Sequence, residues 1–283
     1  MPPLALEVLL SEIEGYAKAG IDELLDRQAC SPENGAYLAW YLGLQATRGR
    51  GYRAVLRAGT HEFAKLRFGD LDADGVRRLM EKDGGEATDE AVAAGLRAVG
   101  KIVADEWRVS PQDAALAAQA AETAGELVKY LLLGRQWLVY DTPALLVTCD
   151  EPVVVLGGPA GTRAEERGFA DAPVILFPLT PSKLLVLLRG DLPREPSQTL
   201  DVVELADINR EMVASSSRWV FEKPSRQIGM RMQVPGPAPA LVTEHYEGSK
   251  EEGRIVYRLH RPTRWVAASN TPWPVSRWWE RWS

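Results

Sequence analysis

The chain has 283 residues, of which 46% are hydrophobic and 25% charged, and its formal net charge is −6. These values are ordinary for globular proteins and exclude disordered, collagen-like and coiled-coil classes. The longest apolar runs fall far short of the roughly 20 residues that a membrane span needs, the first residues lack a secretory signal pattern, and two cysteines are too few for a disulfide framework. We therefore expect a cytoplasmic protein with no membrane partner.

The first half of the chain is acidic and helical in pattern. Residues 1–134 carry 15 Lys and Arg against 21 Asp and Glu, and Leu9, Ile13 and Leu24 mark one face of a first helix. Ser31 and Pro32 give a start signal for a second helix that we expect to end near Arg48. Glycines at 49 and 51 interrupt the pattern. Further helices are predicted at about 71–82, 88–107 and 110–133, which makes five or six in all.

From Arg135 onward, short β-branched and leucine-rich runs are bounded by glycine and proline, which is typical of strands. Strands are predicted at 137–140, 145–149, 153–156, 174–177, 184–188, 219–221, 241–246 and 255–259. A turn is expected between Pro178 and Pro181, and one helix at about 202–217. Strands that follow helices predict an α+β fold. We expect a helical region, 1–134, packed on a mainly antiparallel β-rich region of the same domain, 135–263, and a tail, 264–283.

Familiar catalytic motifs are weak in this sequence. The glycine-rich segment at 157–161 lacks the Gly-Lys-Ser/Thr of a phosphate loop, so a plain turn is the better interpretation. His61, His245 and His260 are far apart and show no metal-binding spacing, so no metal site is predicted. Cys149 ends an apolar strand, where we expect a buried and inert thiol.

Polar residues follow one face of the second helix. Tyr37, Tyr41, Gln45 and Arg48 recur at i, i+4, i+8 and i+11. Two interpretations stay open: an ion pair that ties this helix to the sheet, which we favour, or an anion site in a cleft, since a guanidinium group suits phosphate and carboxylate.

A second polar set lies between two predicted strands, where loops often carry binding groups. Asp150 could accept backbone amides in a turn, pair with Arg48, or hold a divalent cation with Glu151, although adjacent acids on a chain usually point apart. Beyond this possible cation, the sequence identifies no cofactor.

The C-terminal tail is basic and aromatic. Five of the nine tryptophans lie between Trp265 and Trp282. Cations mixed with flat aromatic rings are typical of single-stranded nucleic-acid binding. Because exposed tryptophans would reduce solubility, we favour docking of the tail on the protein body or in an oligomer contact.

Taken together, the order of segments resembles the bacterial family of unknown function DUF4238 over roughly residues 5–222. The resemblance is carried by Leu44-Gln45-Ala46-Thr47-Arg48, by Thr148-Cys149-Asp150-Glu151-Pro152-Val153, by Phe177-Pro178-Leu179-Thr180-Pro181, and by Asp207-Ile208-Asn209 with Arg218-Trp219-Val220-Phe221. The sequence departs from the family pattern in lacking a His-Tyr-Val-Pro segment before the first helix, and in carrying Glu151 where relatives have Asn. The resemblance implies the architecture and suggests a link to defence against phage.

The residues shared with this family lead to the first functional hypothesis, a hydrolase-type enzyme that acts on a phosphate-containing substrate, a nucleotide or nucleic acid. In it Arg48 and Gln45 bind the anion, Asp150 is the acid/base or cation ligand, and Asn209 orients the substrate. The further substrate-binding candidates are Glu14, Glu151 and Tyr41. The alternatives are a non-catalytic interaction protein that uses the tail, or a specialised small-molecule biosynthetic enzyme, so whether the protein is an enzyme, and whether it forms oligomers, stays open.

Overall fold

The computed structural model describes residues 3–143, 145–157, 163, 165–190, 198–247, 255–267, 275 and 278. Over these residues the fold is α+β, as predicted. The helices are α1 (Pro3–Arg27), α2 (Pro32–Thr47), α3 (Arg50–Phe68), α4 (Ala73–Lys82), α5 (Asp89–Val103), α6 (Asp113–Leu132) and α7 (Val202–Ser215). The strands are β1 (Arg135–Asp141), β2 (Thr148–Cys149), β3 (Val154–Leu156), β4 (Val174–Thr180), β5 (Lys183–Arg189), β6 (Val220–Phe221), β7 (Val242–Glu247) and β8 (Ile255–His260).

The chain forms two compact units. Unit 1 comprises Met1–Tyr52, Ala117–Pro239 and His260–Ser283, and unit 2 comprises Arg53–Leu116 and Ala240–Leu259. Within the ranges that the structure describes, no helix is long and apolar enough to cross a membrane.

A four-stranded antiparallel sheet in the order β1-β5-β4-β3 forms the centre of unit 1. The predicted turn between Pro178 and Pro181 is wrong, because β4 continues to Thr180 and the turn is formed by Pro181 and Ser182. Pro178 lies opposite Leu184 beside an irregularity of the ladder. The neighbouring strand β3 pairs only with residues 174–176, so a residue without an N–H is tolerated at 178.

The apolar run of β5 is unbroken because both faces of the sheet are covered. Leu184, Val186 and Leu188 belong to a cluster that also contains Ile208 and Met212 of α7. On the opposite face, the alternate residues of β5 belong to a second cluster with side chains from α1 and α2: Leu185, Leu187, Ala17, Leu24, Leu38 and Leu42. The expected packing of N-terminal helices on an antiparallel sheet is therefore found in unit 1.

Two elements differ from the sequence prediction. Helix α3 was not predicted, because the glycines around Arg50 indicated a longer break between helices. In the structure, only the C-cap Arg48 and Gly49 lie between the end of α2 and the start of α3. The strand expected at 145–149 is reduced to Thr148–Cys149. The backbone of Leu145 and Val147 bonds instead to the side chain of Asn209.

The described part of the C-terminal tail is anchored in unit 1 by two buried tryptophans. Trp278 donates from Nε1 to the hydroxyl of Tyr140 at 3.1 Å and packs edge-on against its ring. Trp265 donates from Nε1 to Glu211 at 3.1 Å, and Glu211 also pairs with Arg163. For these two side chains the structure shows docking on the protein body, whereas the other tail tryptophans lie outside the described residues. Residues 158–161 of the glycine-rich segment also lie outside them.

Unit 2 contains α4, α5 and the two-stranded sheet of β7 and β8. Thr243 of β7 donates to Glu62 of α3 at 3.1 Å. In the same unit a Cβ added to Gly95 of α5 would lie 2.8 Å from Val76 of α4, so these helices pack closely.

Helices α2 and α6 approach so closely in unit 1 that a side chain at Gly43 has no room. A Cβ added there would lie 2.6 Å from the carbonyl oxygen of Ala124. We expect Gly43→Ala to lower the free energy of unfolding by about 1–3 kcal/mol, since backbone must move. The matched control is Gly125→Ala on α6, where a Cβ meets nothing within 4 Å and should add about 0.5–1 kcal/mol. Urea denaturation measures both, and equal effects of the two substitutions would contradict the close packing.

Candidate functional site

An open cleft of about 420 Å³ in unit 1 is the candidate site. It is lined by Arg48, Gly49, Arg50, Asp150, Arg218 and Trp219. These residues come from three places in the chain: the junction of α2 and α3, the end of β2, and the start of β6. We call this the arginine cleft.

The junction of α2 and α3 brings two of the arginines to the cleft. Helix α2 ends at Thr47, Arg48 caps it by donating its N–H to the carbonyl of Leu44 at 2.9 Å, and α3 begins at Arg50. The Arg48 guanidinium is about half exposed and lies 3.7 Å from the carboxylate of Glu14 on α1. The favoured interpretation of Arg48, a tie between helix and sheet, is therefore replaced by a loose ion pair between two helices.

Asp150 fixes the third arginine. Its two carboxylate oxygens accept the backbone N–H groups of Ser217 and Arg218, both at 2.9 Å. The N–H of Asp150 in turn donates to the carbonyl of Trp219 at 3.0 Å. The expectation that Asp150 accepts backbone amides in a turn is confirmed, and these bonds hold Arg218 and Trp219 at the cleft. The Arg218 guanidinium lies 4.8 Å from the centre of the Trp219 ring.

Glu151 binds the backbone at the start of α3. Its Oε1 accepts the N–H of Gly51 at 2.6 Å, one of the backbone donors that a helix leaves unpaired in its first turn. A Cβ on Gly49 or Gly51 would lie 2.8 Å or 2.6 Å from atoms of the Glu151 side chain. Both glycines are therefore needed for the approach of the carboxylate, and the two adjacent acids bind different backbone N–H groups.

Glu151 and a second carboxylate share one guanidinium group. Glu166 accepts from Arg261 Nε at 2.8 Å and from its Nη1 at 3.2 Å. Burial raises the pKa of Glu151, while the Gly51 N–H and the charge of Arg261 act in the opposite direction. Burial also raises the pKa of Glu166, and the nearby charge of Glu151 adds to this effect against the pull of Arg261.

The electrostatics of the arginine cleft favour an anion. Among the residues that the structure describes, three guanidinium groups and one carboxylate line it, and both oxygens of that carboxylate already accept N–H bonds. Guanidinium groups form paired hydrogen bonds with phosphate and carboxylate. Trp219 is 55% exposed and adds a flat apolar face beside these charges.

The structure brings some of the predicted site residues together and separates others. Arg48 and Asp150 line the same cleft, and Glu14 pairs with Arg48. Gln45 is buried in α2 and Tyr41 packs edge-on against Phe177. Neither of these two lines the cleft, and their assignment to substrate stays a prediction.

Asn209 is bound at both ends of its amide. Its Oδ1 accepts the N–H of Val147 at 3.0 Å, its Nδ2 donates to the carbonyl of Leu145 at 2.9 Å, and the residue is 2% exposed. The geometry gives Asn209 the role of joining α7 to the segment before β2, while its predicted contact with a substrate has no counterpart in the cleft lining.

Sequence reasoning missed Arg50, Arg218 and Trp219 in the cleft, and Glu166 with Arg261 beside it. A cation followed directly by an aromatic residue at a helix-to-strand junction was a usable signal for Arg218 and Trp219. The pairing of Glu166 with Arg261 joins residues 95 positions apart and had no local signal.

One cluster in unit 2 has the residue types of a metal site: His61, Glu62 and Asp105. In this cluster His61 Nδ1 accepts the N–H of Val109 at 3.3 Å, so Nε2 carries the proton that faces Asp105 at 2.7 Å. Lys65 lies 3.2 Å from Asp105 and 3.6 Å from Glu62. Both ring nitrogens are engaged and an ammonium supplies the positive charge, so the cluster is satisfied without a metal ion.

The cysteines offer no nucleophile. Cys149 is 4% exposed, and burial raises its pKa to about 12. Burial likewise raises the pKa of Cys30 to about 11. The expectation that Cys149 is buried is confirmed, and its raised pKa disfavours the reactive thiolate.

Comparison with known proteins gives one match. The model of a family described as "Protein of unknown function (DUF4238)" matches residues 1–226 of the 283. The searches of curated proteins and of solved structures return no match.

The raised pKa of Glu151 predicts a pH dependence of stability. Because burial raises this pKa above its ordinary 4.5, folding favours the protonated carboxyl. That stabilisation is complete below about pH 4.5 and is lost as the pH rises through the folded-state pKa. Relative to Glu151→Gln, the wild-type protein should therefore lose free energy of unfolding as the pH rises above about 4.5, as measured by urea denaturation.

Asp105→Asn serves as a control of opposite sign. The hydrogen bond from His61 lowers the pKa of Asp105, with Lys65 acting in the same direction, so its stabilisation is present above the unfolded pKa and is lost as the pH falls. A difference between wild type and Glu151→Gln that does not change with pH would show that Glu151 titrates normally.

Proposed function

We propose a function for a chain that belongs to the family described as protein of unknown function (DUF4238): it binds a phosphate-containing ligand, a nucleotide or nucleic acid, in the arginine cleft and acts on it as a hydrolase-type enzyme. The observation that carries the proposal is the convergence of Arg48, Arg50 and Arg218 on one open cavity. Phosphate matches this set, because it offers several charged oxygens to several guanidinium groups at once.

The charge balance inside the cleft supports this ligand. Arg50 and Arg218 have no ion pair with any carboxylate in the part of the chain that the structure describes. Arg48 has only the half-exposed Glu14 as a partner, and such a pair contributes little. An incoming anion therefore meets guanidinium groups whose charge is not already neutralised.

Asp150 is the carboxylate at the cleft, and we assign it the general base that activates water. Its two N–H bonds fix its orientation, and a carboxylate oxygen has lone pairs left for a water molecule. The backbone N–H of Arg218 is one of the two groups that bind Asp150, so the base and the backbone of one phosphate-binding residue are held close together.

The tail gives less support to the alternative of an interaction protein. Trp265 and Trp278 are 5% and 2% exposed, so these two rings face the core of unit 1 rather than a ligand. The biosynthetic alternative would use the same cleft for a different anion, and the link to phage defence stays a prediction.

Binding is tested with pyrophosphate and with nucleoside triphosphates in a thermal-shift titration. We expect a raised melting temperature in the wild type, and about 10- to 100-fold weaker binding in Arg48→Ala and in Arg218→Ala, the cost of a lost charged hydrogen bond. Arg189→Ala is the matched control, because Arg189 lies on β5 and does not line the cleft. Equal binding by all three variants would refute the anion site.

Hydrolysis is tested by phosphate release from the ligands that bind. Asp150→Asn should lower kcat by about 10²- to 10⁴-fold, the usual contribution of a general base, with little change in KM because Asn keeps an acceptor for the backbone N–H of residue 217 or 218. Binding with no turnover by the wild type would leave a binding protein in place of the enzyme. An unchanged kcat in Asp150→Asn would remove Asp150 as the base.

A further inference from the structure

Strand β6 and the residue before it carry two exposed aromatic side chains next to the arginine cleft, and the bond from the Asp150 N–H to the Trp219 carbonyl continues the pairing of β6 with β2 to residue 219. Trp219 is 55% and Phe221 is 53% exposed. Val220 between them packs against the core cluster of unit 1 and against Gly229, so it faces inward. Successive strand residues point to opposite sides, which places Trp219 and Phe221 on the same outer face, about 6.7 Å apart along the strand.

The aromatic face and the arginine cleft are continuous. Trp219 belongs to both: it lines the cleft with Arg48, Arg50 and Arg218, and it is followed on the same face by Phe221. Pairing with β2 fixes the register of β6, because Phe221 lies opposite Thr148 and Val220 lies opposite Cys149 in the ladder. The rings of Trp219 and Phe221 are therefore held in a fixed sequence, with Trp219 at the cleft and Phe221 beyond it.

We propose that the ligand is a single-stranded nucleic acid, whose phosphates bind Arg48, Arg50 and Arg218 while two successive bases stack on Trp219 and Phe221. This inference rests on the proposed function and names its substrate class. A cationic groove beside aromatic stacking faces is how proteins bind single strands without reading their sequence. In a duplex the base faces are already stacked on each other, so they are not offered to these rings.

The other phosphate ligands fit the surface less completely. A mononucleotide has one base and would leave Phe221 uncovered. An acidic peptide would satisfy the arginines but has no need of two flat faces. Because the whole chain has a net charge of −6, attraction for a polyanion must come from the local arginines, and binding should weaken steeply with salt.

The test is fluorescence anisotropy with two labelled probes, a dT decamer and an abasic decamer with the same number of phosphates. The wild type should bind the dT decamer more tightly than the abasic one. Phe221→Ala and Trp219→Ala should each weaken dT binding by about 5- to 150-fold, the range for a lost stacking contact, and should leave abasic binding nearly unchanged. The slope of log K against log salt should be about −2 for three phosphate contacts, and about −1.4 in Arg48→Ala.

Matched substitutions separate stacking from folding. Phe221→Tyr keeps the ring and should keep binding, whereas Phe221→Leu keeps apolar bulk and should lose it. Phe63→Ala removes an equally exposed phenylalanine of unit 2 and should have no effect. Melting temperatures of all variants show that the fold is intact.

Four outcomes overturn the inference or its premise. Equal affinity for the dT and abasic probes, or a Phe221→Ala variant that binds like Phe63→Ala, overturns the single-strand assignment while the anion site stands. Tighter binding of a dT duplex partnered with dA than of the single strand overturns it as well. No binding of either decamer or of pyrophosphate overturns the proposed function together with the inference.

Discussion

The Asp150–Glu151 pair is the interaction on which the candidate site depends. Each of the two carboxylates accepts backbone N–H groups from a segment far away in the sequence: Asp150 from Ser217 and Arg218, Glu151 from Gly51. One carboxylate fixes the turn between α7 and β6, and the other fixes the start of α3. Since these two places supply most of the lining of the arginine cleft, a single dipeptide sets the positions of its cations.

The backbone bonds of these two carboxylates also explain why the charge of the cleft stays positive. A carboxylate paired closely with Arg50 or Arg218 would neutralise the anion site, whereas Glu14 forms only a loose, half-exposed pair with Arg48. Asp150 is occupied by two backbone amides, and Glu151, which does not line the cleft, is occupied by the N–H of Gly51 and lies near the charge of Arg261. The cost is that Glu151 is removed from water, and its pKa rises for that reason. Acidic residues adjacent to the site thus shape it without cancelling its charge.

Much of the local structure was readable because it depends on neighbours in the sequence. Helix α2 was expected to begin at Pro32 and does so, although Ser31 makes no side-chain cap and bonds to Glu23 instead. The strands β4 and β5 were readable from apolar runs bounded by proline and glycine. Helix α3 was not readable, because its glycine-flanked start is supported by Glu151, 100 residues away. The turn predicted at Pro178 was wrong for a similar reason: β4 can contain a proline there because β3 pairs only with residues 174–176, and the sequence near Pro178 does not show this.

The sequence by itself determined the α+β class, the family resemblance, and the presence of Arg48 and Asp150 among the site candidates, because periodicity, turn residues and segment order are local properties of the chain. Only the tertiary structure decided which charges meet. In the structure Arg50, Arg218 and Trp219 line the cleft together with Arg48 and Asp150. Gln45 and Asn209 are buried, and Glu166 pairs with Arg261. A cleft is made of side chains from distant segments, and their convergence is fixed by long-range hydrogen bonds from backbone N–H groups to the carboxylates of Asp150 and Glu151, which leave no periodic pattern in the sequence.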